Sequence, residues 1–187
     1  MIMYHSTRGR CPAVSFDQAL LQGFAADGGL FMPHPLPRLS QDRLDQCKHL
    51  GYVDLAKEIM GCFIDSRIVP RRDLSRLVDQ SFAPFAKADP PILPLDRDGQ
   101  SWVMELFHGP TLAFKDVGAR FMARLLTHFR REDEPPITFL TATSGDTGGA
   151  VADAFLGLPG VRVVLLFPDG KVSPRQERQF STLGENV

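Results

Sequence analysis

ITFLTATSGDTGGAVADAFLGLPGVRVVLLFP, residues 137–168, is the stretch of sequence that decides the fold. A strand-like run at 137–143 leads into a glycine-rich turn, a helical pattern follows at 145–157, and a run rich in β-branched residues covers 161–168. Two strand-like runs separated by a segment of helix length predict a β–α–β unit with parallel strands. The sequence therefore predicts an α/β protein.

The same alternation continues on both sides of this unit. A strand-like run at 101–107 and an amphipathic helical pattern at 115–131 precede it, and another helical pattern follows at 173–183. Strand and helix thus alternate three times, which is typical of a parallel sheet covered by helices. Because ligands bind at the carboxyl ends of the strands in such sheets, the three loops that follow the strands are expected to face one site.

A different pattern occupies the first part of the chain. Helical periodicity is found at 15–26, 52–64 and 71–82. The segment 27–40 is rich in Gly and Pro and predicts an extended loop. Pro90 and Pro91 remove backbone donors and stop helices. We therefore expect a mainly helical N-terminal region at 1–91 and the beginning of an α/β domain at 92–187.

Composition excludes several classes of protein. The 187 residues are 43% hydrophobic and 23% charged, with a formal net charge of -1, which is typical of a globular protein. We expect no nucleic-acid partner, because no cluster of Lys and Arg is present to neutralise phosphates. We expect no membrane partner and a cytoplasmic location, because the N-terminus lacks a signal-peptide core and no window reaches the roughly 18 apolar residues of a membrane span. Cys11, Cys47 and Cys62 lack the spacing of a disulfide framework or a zinc site, so no metal is predicted.

Lys115 is the first candidate catalytic residue. It follows the apolar run 111–114 at the point where a helical pattern begins. A helix N-terminus carries partial positive charge and disfavours an ammonium group, and exclusion of water by Phe107 and Phe114 would favour the neutral amine. A neutral amine can attack an aldehyde, which is the chemistry of a Schiff-base lysine. An ordinary surface lysine at a helix start fits the same residues, and Asp116 is most simply a first-turn residue that favours the helix dipole.

The loop TSGDTG, residues 143–148, is the second candidate site. A glycine-rich turn between a strand and a helix directs backbone donors and hydroxyls toward one point, which suits a carboxylate or a phosphate. A simple turn in which Asp146 or Thr147 caps the helix is the alternative. The loop differs from the Gly-Asp-Ser-Gly-Gly motif of serine proteases because Thr147 replaces the nucleophile, and it lacks the Lys of a P-loop.

Four further residues could contribute to binding. Lys171 and Ser173, near Arg175 after the third strand-like run, could bind a substrate phosphate or could form a solvated turn. His108 is either a turn residue or a polar group in the crevice. Arg8 could bind an anion or could lie in a surface tail.

Three segments together resemble one known family. They are ELFHGPTLAFKDVGARFM (105–122), TATSGDTGGAVADAF (141–155) and FPDGKVSPRQERQFSTLGENV (167–187). In this order and separation they look like threonine synthase, a family of pyridoxal-phosphate enzymes with the tryptophan-synthase-β-like fold. The segments YHSTRG and VSFDQALLQGFAADGGLFMP resemble the small N-terminal region of the same family, so the resemblance covers nearly the whole chain.

The resemblance implies a role for each motif. Lys115 would carry the Schiff base with pyridoxal 5'-phosphate and later transfer protons. The glycine-rich loop would lie beside the cofactor ring and the substrate carboxylate, with Thr143 as a further substrate contact; the loop residues are Ser144, Gly145, Asp146, Thr147 and Gly148. Related sulfhydrylases have Asn in place of Asp146. The domain at 92–187 would be the start of a parallel three-layer αβα domain that binds the cofactor, of fold type II.

The family reaction converts O-phospho-L-homoserine and water to L-threonine and phosphate. Family members are markedly longer, and their cofactor-phosphate loop lies after the matched region, so the chain is expected to be incomplete at its C-terminus and inactive alone. A related lyase that forms 2-oxobutyrate, or an inactive remnant that retains anion-binding loops, would share these motifs. The oligomeric state is not predicted.

Overall fold

The structure, a computed structural model, describes residues 2–96, 98–131 and 133–187. The chain divides into two compact units, Met1–Asp79 and Gln80–Val187. The sequence-based boundary after residue 91 lies further along the chain and stays a prediction.

The first unit contains four helices and one strand pair among its described residues. In chain order its elements are β1 (Met3–Ser6), α1 (Phe16–Gln22), β2 (Phe31–His34), α2 (Gln41–Cys47), α3 (Tyr52–Phe63) and α4 (Arg71–Phe82), which ends in the second unit. The predicted helix at 71–82 is confirmed, and the one at 52–64 is confirmed to within one residue. The predicted helix at 15–26 is too long, because Gly23 ends α1 with a φ of 70°.

The strand pair was not expected from the sequence. β1 and β2 are antiparallel, with Met3 opposite His34 and Ser6 opposite Phe31, so the predicted loop at 27–40 contains both a strand and the cap of α2. Four residues are too few to show a clear alternating pattern, and Pro33 within β2 weakens the strand signal further. The pairing partner supplies the stability that the local sequence does not indicate.

The loop after α1 is tied to the end of β1 through Asp27. Its Oδ1 accepts hydrogen bonds from Ser6 Oγ at 2.6 Å and from the Gly29 backbone at 2.9 Å, and its Oδ2 accepts from the Arg10 backbone at 2.9 Å. These donors lower the pKa of Asp27 to about 2, with the hydroxyl of Ser6 as the largest cause. Hydrogen bonds to the ionised form have this effect because protonation weakens them.

After the end of α4, the second unit continues with an antiparallel hairpin. Its elements are β3 (Ile92–Pro94), β4 (Trp102–Met104), α5 (Lys115–Phe129), β5 (Ile137–Ala142), α6 (Asp146–Phe155), β6 (Val161–Leu166) and α7 (Pro174–Ser181). β4 pairs with β3, so the prediction that the run at 101–107 joins a parallel sheet as its first strand is wrong. A parallel neighbour needs a long crossover, whereas the short loop here closes a hairpin through Asp96, whose carboxylate accepts from the backbones of Gln100 and Ser101.

The predicted β–α–β unit is confirmed. β5 and β6 are parallel, in a register that runs from Ile137 opposite Val161 to Ala142 opposite Leu166, and α6 forms the crossover. α6 is buried along most of its length and contacts α5, α7 and both strands. The Phe155 ring lies 4.3 Å from that of Phe139, which places the core between α6 and one face of the strand pair.

The two faces of this strand pair differ in exposure. Val161 and Val163 point toward the helices and are buried, whereas Leu140 on the opposite face is 65% exposed. Asn186 occupies part of the edge of β6, where its backbone oxygen accepts from the Val163 N–H at 2.8 Å. Among the described residues, no helix combines the length and the apolar composition that crossing a membrane requires.

The hydrogen bonds that Asp27 accepts from Ser6, Arg10 and Gly29 lead to a prediction about stability at acidic pH. Its folded-state pKa of about 2 lies below the ordinary value of 3.8, so Asp27 stabilises the fold above about pH 4 and loses this contribution as the pH falls toward 2. Asp27→Asn should lower the thermal midpoint at neutral pH and lose less stability between pH 4 and pH 2 than the unmodified protein. Circular dichroism melts across this range measure both effects. Asp45→Asn, on the exposed surface of α2, is the control; an equal pH response in both variants would contradict the prediction.

Candidate active site

Lys115 is the first residue of α5, as the sequence predicts. Its side chain is 33% exposed, and its Nζ lies 5.6 Å from the centroid of the Phe114 ring and 3.8 Å from Asp146 Oδ2. Asp146 is the first residue of α6. Two motifs that are 31 residues apart in sequence therefore meet at the N-termini of two neighbouring helices.

The loop that precedes Lys115 is held by the buried carboxylate of Asp116. Asp116 is 0% exposed, and it accepts hydrogen bonds from the Thr111 backbone at 2.9 Å and from Thr111 Oγ1 at 2.6 Å. A Cβ at Gly109 would lie 2.4 Å from Asp116 Oδ2, so only glycine fits beside the carboxylate. Between these residues Leu112 adopts a φ of 61°, which is unusual for a residue with a side chain. Asp116 thus does more than favour the helix dipole, because it fixes the fold of the loop.

A second buried charge connects α5 with α6. The guanidinium group of Arg120 is buried and forms an ion pair with Asp153 on α6. Burial lowers the pKa of Arg120, while the nearby charge of Asp116 acts in the opposite direction. Pairing matters here because a buried charge without a partner costs several kcal/mol. The two helices that carry Lys115 and Asp146 are therefore joined by charge as well as by packing.

Thr143 organises the glycine-rich loop from within. Its Oγ1 accepts hydrogen bonds from the backbone N–H groups of Gly145 at 3.0 Å and Gly148 at 2.9 Å, and the side chain is buried. The two donors belong to the turn and to the first turn of α6, so a single hydroxyl sets the path of the chain from strand to helix. Its place as a substrate contact stays a prediction, since the hydroxyl is engaged inside the loop.

The rest of the loop divides into buried and exposed positions. Gly145 and Gly148 are buried, whereas Ser144, Asp146 and Thr147 are exposed and available to a ligand. Backbone N–H groups at the start of a helix and these hydroxyl groups together suit an anion. Their roles in cofactor binding stay predictions.

A residue that sequence reasoning missed completes the loop. Gln176 on α7 donates from Nε2 to Asp146 Oδ1 at 2.6 Å. Gly145, with a φ of 152°, leaves room for this side chain, since a Cβ there would lie 2.6 Å from Gln176 Nε2. No local pattern marks Gln176 as a partner of Asp146, because the two residues are 30 positions apart.

A largely apolar cavity of about 610 Å³ opens beside Lys115. It lies between α5 and α6, and residues of both candidate motifs contribute to its wall; the lining includes Leu106, Phe114, Lys115, Met122, Thr147 and Val151. A second, more open concavity of about 460 Å³ lies where β5 and β6 end, and Ser144 and Pro168 line it. Both lie at the strand ends or the helix starts that the predicted β–α–β unit implies.

The remaining candidate residues are more widely placed. His108 Nε2 lies 2.7 Å from Glu105 Oε2, so its ring is engaged with a carboxylate of the same loop. Ser173 is the N-cap of α7, where its Oγ accepts from the Gln176 backbone, and Lys171 is exposed just before it. Arg8 belongs to the first unit and donates to the Asp27 carbonyl at 3.0 Å. Substrate binding by these residues stays a prediction.

The fold and the candidate site define a class of protein. A parallel β–α–β unit presents a glycine-rich loop at the start of α6, beside an apolar cavity and beside the amine at the start of the packed helix α5. This arrangement is typical of α/β proteins that bind small anionic ligands at the carboxyl ends of parallel strands.

Comparisons with known proteins show which proteins the chain resembles. Residues 3–82 match the family model described as threonine synthase N terminus. The chain is 49% identical to the threonine synthase of Escherichia coli over 174 residues, 93% of this chain and 39% of that protein. It is 40% identical to threonine synthase-like 2 of Rattus norvegicus over 98% of this chain and 38% of that protein. The resemblance to threonine synthase inferred from the motifs is confirmed.

Solved structures agree with the sequence comparisons. The crystal structure of the PLP-bound threonine synthase of Brucella melitensis matches with a TM-score of 0.88 and 38% identity, over 96% of this chain and 38% of that one. The threonine synthase of Escherichia coli matches with a TM-score of 0.84 over 99% of this chain and 41% of that one. The predicted α/β class is therefore confirmed, and the chain spans about two fifths of the length of the relatives it matches.

The organising role of Thr143 can be measured as stability. Thr143→Val keeps the shape of the side chain but removes the acceptor of two buried N–H groups, so the free energy of unfolding should fall by about 1–3 kcal/mol. Thr138→Val, at an exposed position of β5, should change it by less than about 0.5 kcal/mol. Urea unfolding followed by circular dichroism compares the two variants. Equal losses would contradict the assignment of the loop geometry to the Thr143 hydroxyl.

Proposed function

We propose that this protein acts in the conversion of O-phospho-L-homoserine and water to L-threonine and phosphate, with pyridoxal 5'-phosphate as cofactor. The observation that carries the proposal is the 3.8 Å separation between Lys115 Nζ and Asp146 of the glycine-rich loop, in a chain similar to threonine synthases over 93% of its length. The chain would form the N-terminal part of the enzyme. A cytoplasmic location is part of the proposal.

The second unit would form the start of a three-layer αβα cofactor-binding domain of fold type II. The parallel pair of β5 and β6 supports this, since helices cover one face and the opposite face carries exposed leucines, Leu140 and Leu166. Strands of parallel sheets are usually covered on both faces. A further helical layer over Leu140 would complete that arrangement.

The residues present fit the cofactor in three respects. Lys115 lines a cavity and is partly exposed, so its amine could bind the aldehyde carbon of the cofactor. The apolar wall beside the amine, which includes Leu106 and Met122, could cover an aromatic ring. The exposed hydroxyls of Ser144 and Thr147, with the first N–H groups of α6, could hold an anionic group.

The cofactor, when bound, supplies an electron sink that stabilises negative charge developing on the substrate carbons. Lys115 would hold the cofactor and then move protons at the substrate α and β carbons, because its Nζ lies at the wall of the same cavity. Ser144 and Thr147 would orient the substrate carboxylate by hydrogen bonds. Asp146, engaged by Gln176 on one oxygen, would hold the ammonium form of Lys115 in place between proton transfers.

Cofactor binding by Lys115 can be tested by absorbance. The full-length gene product mixed with pyridoxal 5'-phosphate should develop a visible band, and Lys115→Ala should abolish it because the attachment point is lost. Lys87→Ala, which removes an exposed lysine of the second unit, should keep the band. Borohydride reduction followed by peptide mass spectrometry should place the label on Lys115. An unchanged band in Lys115→Ala would contradict the assignment.

Product analysis tests the reaction. With O-phospho-L-homoserine, the full-length gene product should release L-threonine and phosphate in equal amounts, and the 187-residue chain alone should show no turnover, because the family's cofactor-phosphate loop lies after the matched region. Chromatography of the products and a phosphate assay give both quantities. Formation of 2-oxobutyrate without threonine would indicate the related lyase, and turnover by the 187-residue chain would overturn the predicted inactivity.

A further inference from the structure

Helix α7 carries two glutamines that reach the two loops of the candidate site. Gln176 Nε2 donates to Asp146 Oδ1 at 2.6 Å, and Gln179 Nε2 donates to the Thr111 carbonyl at 3.4 Å. Residues three apart on a helix lie on the same face. Phe180, the next residue, is buried in a core cluster, so α7 contacts both loops from an anchored position.

The orientation of Gln176 is fixed from two sides. Ser173 Oγ donates to Gln176 Oε1 at 2.8 Å, which leaves the amide nitrogen directed toward Asp146. On the other side, the absence of a side chain at Gly145 provides the space that the amide occupies. The amide is therefore a fixed donor rather than a mobile surface group.

This donor determines which way the Asp146 carboxylate faces. One oxygen, Oδ1, accepts the hydrogen bond from Gln176, and the other, Oδ2, lies 3.8 Å from Lys115 Nζ. A carboxylate at this distance attracts the amine electrostatically and restricts its movement. The neutral amide of Gln176 thus acts on Lys115 through Asp146.

We propose that Gln176 is a positioning residue, which holds the Asp146 carboxylate against the Lys115 amine and thereby lowers the reactivity of that amine. Gln179 holds the backbone of the loop before Lys115, here called the lysine loop (residues 108–114), against α7. The effect on catalysis rests on the proposed function of Lys115, whereas the effect on the amine itself does not.

Other charges lie on the elements packed around the pair. They are Asp116, Arg120 and Arg124 on α5, Asp153 on α6, and Arg175, Glu177 and Arg178 on α7. Asp116 is engaged by Thr111, and Arg120 is engaged by Asp153. The variants below leave all of these residues unchanged.

The test measures the reactivity of the Lys115 amine in the full chain without any cofactor. Trace labelling with acetic anhydride at a series of alkaline pH values modifies only neutral amines, and mass spectrometry gives the rate for each lysine. Lys171, exposed before α7, is the reference within the same molecule. Gln176→Ala and Gln176→Glu are compared with Ser181→Ala, a neutral change at the exposed end of the same helix.

The two substitutions should act in opposite directions. Gln176→Ala frees the Asp146 carboxylate, which weakens its interaction with Lys115 and should raise the labelling rate roughly two- to fivefold relative to Lys171. Gln176→Glu adds a second negative charge close to the amine and should lower the rate. Ser181→Ala should leave it unchanged. A purely structural role of Gln176 would shift both variants in the same direction, because both would loosen the same contact.

A further pair of variants covers the case in which Gln176→Glu does not fold, as judged by circular dichroism. Ser173→Ala removes the group that orients the amide and should raise Lys115 labelling less than Gln176→Ala does. Gln179→Ala should increase deuterium uptake in a peptide that spans the lysine loop, and Ser181→Ala should not. Shifts of one sign in both Gln176 variants, or no change in Lys115 labelling in Gln176→Ala and Ser173→Ala, would overturn the proposal. Because these measurements need neither cofactor binding nor turnover, they can support or overturn the role of Gln176 whether or not the proposed function is correct.

Discussion

The buried carboxylate of Asp116 is the constraint on which the candidate site depends. A charged group without solvent must be neutralised by hydrogen bonds and by nearby positive charge, since burial otherwise costs several kcal/mol. Thr111 supplies two donors from the loop before α5, and Arg120 lies one turn further along the helix. Satisfying the carboxylate therefore folds the loop back onto its own helix. Lys115 precedes Asp116 directly, so its backbone is placed by the same contacts.

The glycine-rich loop, residues 143–148, is also organised by one buried polar group, which here is a neutral hydroxyl. The hydroxyl of Thr143 satisfies two N–H groups of the turn, and this leaves the side chains on the outer surface of the turn free to meet a ligand. Satisfied buried polar groups are more rigid than apolar packing of the same size, because each hydrogen bond requires one geometry. Both loops thus combine a rigid interior with reactive groups that remain partly exposed, as Lys115 and Ser144 are.

Much of the second unit could be predicted because its signals are local. β5 and β6 are runs of strand length that are rich in β-branched and other apolar residues, and the glycine-rich turn between β5 and α6 marks the helix start. The pairing of β4 could not be predicted in the same way. A run of apolar residues indicates a strand but not its partner, and the antiparallel partner is determined by the short loop around Asp96.

In the candidate site, too, the local sequence indicates individual residues but not their tertiary partners. Lys115 and Asp146 lie in recognisable motifs, but their proximity depends on the packing of α5 against α6, because the strand before Lys115 pairs with β3 and not with the parallel strands. The role of Asp116 could not be read from the sequence, because an acidic residue in a first helical turn is common and its burial depends on tertiary packing. Gln176 lies in a polar helix whose sequence is equally consistent with a solvated surface.

Two glycines of the site, Gly109 and Gly145, each hold space that a side chain from another position fills. Asp116 occupies the space beside Gly109, and Gln176 occupies the space beside Gly145. The size of the residue at each glycine position is therefore limited by the side chain that occupies the space beside it. A side chain at position 145 would displace Gln176 and would also strain the backbone, because its φ of 152° favours glycine, so a substitution there should disturb the loop and α7 together.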